Sequence, residues 1–323
     1  MGKIIFTSDL HADRGLKVQI CITYLEYLEE YCFENGISDI VFGGDIINKS
    51  SKINNDVFVP LFLKLMEMKN KGLNLIFILG NHDIFNKDND SILRTFSSFG
   101  HVVIKSETMN IAGYDYDLLS YTNNKEEIPN SAPTILTHLP ISTFFYDNGF
   151  GDKDDNGFTP DDFASYNLVV TGHYHKTQKK GKIVYPGSPF QQNFGEQGHD
   201  KFFAIVEGDS YELIPYNNAP TYLTIKIEDF KKYDYKNKFV LVEISRKVEN
   251  FIKLKHILYT QGAIEVKPSF IKEELIEDEG EHEVDINENI SISMKKFLSS
   301  IKDDKVDNKK LLCYFDNILA EVK

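Results

Sequence analysis

The chain has 323 residues, 41% hydrophobic, 13% aromatic and 26% charged, with a net charge of −13. This composition supports a sizeable buried core and excludes collagen, coiled coil and general disorder. At face value the acidic balance also argues against a nucleic-acid binder, because phosphate contacts need Lys and Arg. No apolar run approaches the ~18 residues of a membrane-crossing helix. The longest, 57–63 and 75–79, are interrupted by Pro60 or ended by Gly80. Asp9 follows the first apolar run too soon for a secretory leader. Cys21, Cys32 and Cys313 are scattered and make neither a disulfide frame nor a zinc motif. A cytoplasmic protein without membrane contact is expected.

Five short apolar runs each end in a polar cluster. Residues 4–6 run into Ser8-Asp9-Leu10-His11, 40–42 into Gly43-Gly44-Asp45, and 73–79 into Gly80-Asn81-His82-Asp83. Farther on, 134–136 lead to Thr137-His138, and 168–170 to Gly172-His173-Tyr174-His175. Runs of this length, rich in Ile and Val and bounded by Gly, predict buried strands. Between the first three lie helical patterns over 17–34 and 56–71, the second apolar at 58, 61, 62, 65 and 68. The alternation predicts an α/β sheet with helices on its faces. Ligands in such sheets gather at the carboxyl ends of strands, where all five clusters fall.

Beyond residue 200 the pattern changes. Residues 202–206 and 211–214 flank Gly208-Asp209, a hairpin signal. Strand-like runs at 222–227, 239–244 and 263–266 alternate with short helical pieces, which predicts a small α+β unit. Residues 222–272 carry 11 bases against 6 acids, whereas 1–221 carry 29 acids against 18 bases. Residues 273–288 hold nine acids and no Lys or Arg, reading as a solvated linker. After it, Met294, Phe297, Leu298 and Ile301 form one amphipathic stripe. Leu311, Leu312, Phe315, Ile318, Leu319 and Val322 form a stronger one, suited to a partner's groove. The expected organisation is a first domain over 1–220, a small unit over 221–270, an acidic linker over 271–289 and a helical segment over 290–323.

Two near-motifs carry little. The run from Gly43 to Ser50 almost spells a phosphate-binding loop, but Asn48 replaces its second Gly. Asp152-x-Asp154-x-Asn156-Gly157 opens like an EF-hand loop, but Phe163 stands where the bidentate Glu belongs.

Taken singly each strand-end cluster is weak, since a lone buried His is commonly a satisfied core residue. Together the five supply Asp9, Asp45, Asp83, Asn81, His11, His82, His138, His173 and His175. Hard oxygens mixed with imidazoles suit manganese, iron or zinc, and a shared carboxylate suits a pair of ions. Two ions ~3.5–4 Å apart stabilise the attacking and leaving oxygens of an in-line displacement at phosphorus.

Asp9-x-His11, Gly44-Asp45, Gly80-Asn81-His82-Asp83, His138 and Gly172-His173-x-His175, in this order within residues 1–190, resemble the calcineurin-like metallophosphoesterase superfamily. The resemblance implies an α/β fold: a metallophosphoesterase β-sandwich flanked by helices. It implies that Asp9, His11 and His175 hold one metal, that Asn81, His138 and His173 hold the other, and that Asp45 bridges. His82 would contact the scissile phosphate and protonate or stabilise the leaving oxygen, with Asp83 orienting its imidazole. Two divalent ions, manganese foremost, are the expected cofactors.

Val184-Tyr185-Pro186-Gly187-Ser188-Pro189, followed by Phe194-Gly195-Glu196, resembles the SbcD-type DNA-repair nuclease branch, which includes phage recombination endonuclease subunits. That branch implies a small DNA-contacting capping domain over 221–270 and C-terminal helices over 290–323 docking on an SMC-like, SbcC-type ATPase. It also implies a homodimer, and exonuclease or endonuclease action on DNA. Several cellular members carry a His shortly after the bridging Asp, where this chain has Ile46-Ile47-Asn48. Two other readings stay open: a two-metal phosphodiesterase or phosphoprotein phosphatase of the same superfamily, and a non-catalytic scaffold. The full set of ligands argues against the scaffold.

Overall fold

The computed structural model describes residues 2–49, 54–86, 90–145, 157–244 and 251–270, with Leu298, Lys310, Leu312 and Phe315 farther on. Strand β1 (Ile4–Thr7), helix α1 (Leu16–Asn35), β2 (Asp39–Gly43), α2 (Asn55–Asn70), β3 (Asn74–Ile78) and β4 (His101–Val103) wind in sequence, with the four strands parallel. A second sheet follows from β5 (Ser106–Ile111), β6 (Tyr114–Leu119), β7 (Thr134–His138), β8 (Leu168–Gly172), β9 (Gln178–Lys180) and β10 (Ile183–Tyr185), in the order β5-β6-β7-β8-β10-β9. The hairpin of β11 (Phe202–Glu207) and β12 (Ser210–Pro215) returns to the first sheet, β11 antiparallel to β1, giving β12-β11-β1-β2-β3-β4.

Alternation along the strands explains why the two sheets stack. Ile4 and Phe6 of β1, Val41 of β2 and Ile76 and Ile78 of β3 pack against Leu118, Leu136, Val170 and Val184 of the second sheet. The intervening Ile5, Ile40, Phe42 and Phe77 face the other way, against the helices. Side chains on a strand point alternately to its two faces, so both faces of the first sheet are committed. Each fully buried Leu, Ile or Phe contributes roughly 1.5–3 kcal/mol. Helix α1 presents Cys21, Leu25, Leu28 and Cys32 to this core and ends at Gly36, whose φ of 64° is the left-handed cap. Helix α2 holds Pro60 as its sixth residue, which forgoes one backbone hydrogen bond, and buries Val57, Leu61, Leu65 and Met68. Its buried Lys64 reaches Glu29 of α1 at 3.2 Å. An aromatic cluster that includes Phe144, Phe158, Phe163, Tyr166 and Tyr185 covers the outer face of the second sheet. The fold is α/β, a β-sandwich flanked by helices.

A third, smaller sheet comprises β13 (Thr221–Lys226), β14 (Lys238–Ile244) and β15 (Ala263–Phe270), with α3 (Phe251–Thr260) between the last two. All its pairings are parallel, and it has its own core around Val240, Val242, Leu254, Leu258 and Val266. Composition and spacing indicate such strands; their common direction comes only from the structure. The chain divides into two units, Met1–Ile271 and Lys272–Lys323. In the second unit the four described positions are helical. The acidic run 273–288, most of the two C-terminal stripes and the EF-hand-like residues 152–156 lie outside the described residues. Among the described residues no helix is long and apolar enough to cross a membrane. Cys21 and Cys32 are free and buried, and burial pushes both thiols up to about 12.

Candidate metal centre

The carboxyl ends of β1, β2, β3 and β8 deliver residues of their polar clusters to one pocket, and His138 at the end of β7 lies buried behind Asp45. Its volume is about 540 Å³, and its walls include His11, Asp45, Asn81, His82, His173 and His175, with Lys17, Asn48 and Asn193. Asp9, His11, Asp45 and His173 all hold positive φ, at 58°, 44°, 52° and 101°. Left-handed backbone at non-glycine residues costs about 1–3 kcal/mol each and gathers at functional sites. Gly44 and Gly172 leave room for the His138 ring, since a Cβ at either would collide with its Nδ1.

Three overlapping sets of ligand-capable atoms lie within 4.8 Å of one another: Asp9 with His11 and His175, His11 with Asp45 and His82, and Asp9 with Asp45 and His138. Asp45 links them. Its Oδ1 accepts the His82 backbone N–H at 2.8 Å, while Oδ2 lies 3.6 Å from His11 Nε2 and 3.3 Å from His138 Nε2. Asn81 Oδ1 and His173 Nδ1 converge at 3.1 Å, and His11 Nε2 and His175 Nε2 at 3.0 Å. Asp9 is fixed by Ser8 Oγ, which donates at 2.6 Å, and by the His173 backbone N–H at 3.2 Å. His138 Nε2 is buried, and among the described residues it faces only the Asp45 carboxylate, at 3.3 Å and without good hydrogen-bond geometry. A buried imidazole nitrogen facing a carboxylate so loosely, among mixed imidazole and oxygen donors, fits a pair of divalent cations.

The electrostatics point the same way. Burial alone would raise Asp45, but the imidazoles of His138, His11 and His82 hold its carboxyl far below the usual range. Burial alone would lower His138; the Asp45 carboxylate overrides it and lifts the imidazole to about 9. Burial, aided by His175, takes His11 down to about 4 against the pull of Asp45. In the chain by itself a proton shared by His138 and Asp45 thus answers a concentration of negative charge that a cation would answer better.

A family model for calcineurin-like phosphoesterases matches residues 2–177. The chain belongs to this family. Its members are metal-dependent phosphoesterases with a dinuclear site, so the phosphoesterase frame and the donor set described above belong together. The chain is also 22% identical over 311 residues to exonuclease subunit 1 of Enterobacteria phage T4, covering 90% of this chain and 89% of that protein. Two solved structures are similar at low TM-scores. A dimetal phosphatase from Danio rerio has a TM-score of 0.38 and 10% identity, over 67% of this chain and 99% of that one. The nuclease MPE of Pseudomonas putida has a TM-score of 0.33 and 12% identity, over 65% and 87%.

Within this phosphoesterase pocket the structure redistributes one expected task. His82 Nδ1 donates to the Asn48 carbonyl at 2.6 Å. The Asp83 carboxylate instead accepts backbone N–H groups of Gly80 at 2.9 Å and of Ile46 and Ile47 at 3.1 Å. The orienting partner of the imidazole is therefore Asn48, and Asp83 ties the β2 and β3 loops together. Burial and the charge of Asp45 push Asp83 up to about 7 against those N–H donors.

The sequence does not show the groups behind the candidate ligands. Gly43 offers its carbonyl to His138 Nδ1 at 2.7 Å. Glu196 accepts from His175 Nδ1 at 3.0 Å, and Gln192 donates to the Asp9 carbonyl at 3.1 Å. Backbone carbonyls have no letter in a sequence, but Glu196 does. Its letter stands in the Phe194-Gly195-Glu196 segment, but only the fold shows that it is completely buried.

Proposed function

We propose that this chain is a two-metal DNA nuclease, the hydrolase subunit of an SbcCD-like recombination or repair assembly. The observation that carries the reading is the clustering of Asp9, His11, Asp45, Asn81, His138, His173 and His175 at the floor of one pocket, which His11, Asp45, Asn81, His173, His175 and His82 line and behind which Asp9 and His138 lie buried. In this reading Asp9, His11 and His175 hold one ion and Asn81, His138 and His173 the other, with Asp45 between them. Manganese suits this mixture of imidazole and oxygen donors. When bound, two such ions supply electrophilic stabilisation of charge on the phosphate oxygens and acidify water. The chain itself fixes the phosphate's surroundings and moves a proton. With Nδ1–H committed to the Asn48 carbonyl, a protonated His82 has its Nε2–H to give to the departing ribose oxygen. It then rests as the neutral tautomer that the carbonyl already selects. Lys17 on the pocket wall places a positive charge for a neighbouring backbone phosphate.

The similarity to exonuclease subunit 1 supports a DNA substrate, because it runs across 90% of the chain and not only through the phosphoesterase region. In this reading residues 1–220 form the nuclease domain, 221–270 a DNA-contacting cap and 271–289 a linker, and 290–323 bind the SMC-like ATPase. Exposed Lys226, Lys231, Lys232, Lys236 and Lys253 on the small sheet unit suit contact with a phosphate backbone. The active form is a cytoplasmic homodimer.

The test is release of nucleotides from linear duplex DNA by purified chain in manganese, with and without the ATPase subunit. Manganese-dependent digestion that falls by at least ~100-fold in His82→Ala is expected. Hydrolysis of bis-p-nitrophenyl phosphate without DNA cleavage, even with the ATPase present, would overturn the DNA assignment and leave a phosphodiesterase.

A further inference from the structure

The turn after the Gly-His-x-His cluster closes on His175 from behind. Ser188 donates its backbone N–H to the His175 carbonyl at 3.1 Å. Gly187 at φ 83° approaches the same carbonyl so closely that a Cβ would stand 2.5 Å from its oxygen. Lys201, 5% exposed, distributes its ammonium among that carbonyl at 3.1 Å, Ser188 Oγ at 2.9 Å and Glu196 Oε2 at 2.6 Å. Glu196, 0% exposed, also accepts the Gln192 backbone N–H on Oε2 at 3.1 Å. Its Oε1 accepts from Asn193 Nδ2 at 3.2 Å and from His175 Nδ1 at 3.0 Å. His175 is thus held at both ends by one buried ion pair, its ring by the acid and its backbone by the base. His138 and His82 end instead on the neutral carbonyls of Gly43 and Asn48.

We infer that Glu196, fixed by Lys201, is a positioning residue that sets the tautomer and aim of His175 and thereby strengthens one of the two metal sites over the other. The inference rests on the dinuclear reading given above. Physically, an imidazole whose Nδ1–H is committed to a carboxylate presents its Nε2 lone pair, and that nitrogen becomes a better donor. Here the Nε2 it frees lies 3.0 Å from His11 Nε2 and 4.0 Å from Asp9 Oδ1, the partners with which it would share an ion. The Asn81, His138 and His173 side receives no such carboxylate through Glu196. Among the imidazoles of the two sites Glu196 accepts from His175, so it acts on the site that His175 would share with His11 and Asp9.

Manganese is titrated into chelator-stripped full-length chain, with free ion followed by electron paramagnetic resonance. Wild type is compared with Glu196→Gln and with Glu196→Gln/Lys201→Met. The double variant removes both buried charges together, so the fold survives where a single unpaired charge would threaten it. Two ions are expected in the wild type. In both variants one of them weakens by about 10–100-fold and the other is unchanged, the range seen when an outer partner of a metal-bound His is lost. A second readout is the imidazole ¹⁵N spectrum of the metal-free chain, taken at alkaline pH so that the ring is neutral. His175, identified by loss of its signal in His175→Asn, is a single Nδ1–H tautomer in the wild type and a mixture in the variants. A role confined to packing would not move that signal. A wild type that binds two ions, with a folded double variant matching it in both affinities and in tautomer, overturns the inference alone. A wild type that binds fewer than two overturns the dinuclear reading and the inference with it.

Discussion

His138 and His175 lie on opposite sides of the same carboxylate cluster, yet they are held by different means. His138 is completely buried, its Nδ1 on a backbone carbonyl and its ring between two glycines that have no side chain to spare. The side chain of His175 is 24% exposed and is held by a carboxylate 21 residues away in sequence and an ammonium 26 residues away. One imidazole is placed by the path of the main chain through β2, β7 and β8. The other is placed by an ion pair delivered from a separate loop. The first arrangement tolerates no added volume, and the second tolerates no unbalanced charge.

The sharpest way to break this contrast is Gly172→Ala. The new Cβ would stand 2.6 Å from His138 Nδ1 and 2.7 Å from the Gly43 oxygen, so ring and strand must move apart. Displacing a reacting geometry by an ångström costs about 100-fold in rate, and overpacking costs about 1–3 kcal/mol in stability. Metal-dependent hydrolysis of bis-p-nitrophenyl phosphate and urea unfolding measure the two. Wild-type values in both would mean that His138 is not fixed by volume.

On the other side, Glu196→Gln leaves the ammonium of Lys201 buried and short of its counter-charge. A loss of about 3–5 kcal/mol is expected for breaking such a pair from one end, with most of it regained in Glu196→Gln/Lys201→Met. A double variant no more stable than the single one would show that volume matters there too.

Proton linkage sharpens the comparison further. The folded chain holds His138 at about 9, above the usual imidazole value. In chelated protein its contribution to stability is therefore complete below pH ~6.5 and is lost as pH rises towards 9. Metal binding requires that proton to leave, so the stabilisation by manganese grows over the same interval, by at most about 1.4 kcal/mol per pH unit for one proton. The melting temperatures of loaded and chelated chain should diverge from pH 6.5 to 9. A constant separation would contradict the shared proton at His138 and Asp45.

The smallest effect concerns the strap between pocket and small sheet. Gln191 accepts the Tyr222 backbone N–H of the edge strand β13 at 2.8 Å. Gln191→Ala should cost about 1 kcal/mol in unfolding free energy, the worth of one hydrogen bond, with manganese affinity unchanged. A change in metal affinity would mean that the strap reaches Glu196.

The same contrast decides what could be read from the sequence. The strand-end clusters were legible because buried strands and glycine turns have local signatures, and five of them in order point to one edge of a sheet. The hairpin around Gly208-Asp209 was legible for the same reason. Glu196 and Lys201 were not, since their burial and their meeting with His175 depend on where the loop after β10 returns. The role of Asn48 was hidden differently: its carbonyl, and not its side chain, meets His82. The parallel direction of β13, β14 and β15 was equally invisible, because apolar runs of that length suit either direction of pairing.

The most direct measurement is anomalous diffraction at the manganese edge from crystals of the full chain grown with that ion. Two peaks ~3.5–4 Å apart on either side of Asp45 are expected, one among Asp9, His11 and His175, the other among Asn81, His138 and His173, with His82 bound to neither. A single peak, or an ion ligated by His82, would contradict the two-metal site on which the proposed nuclease depends.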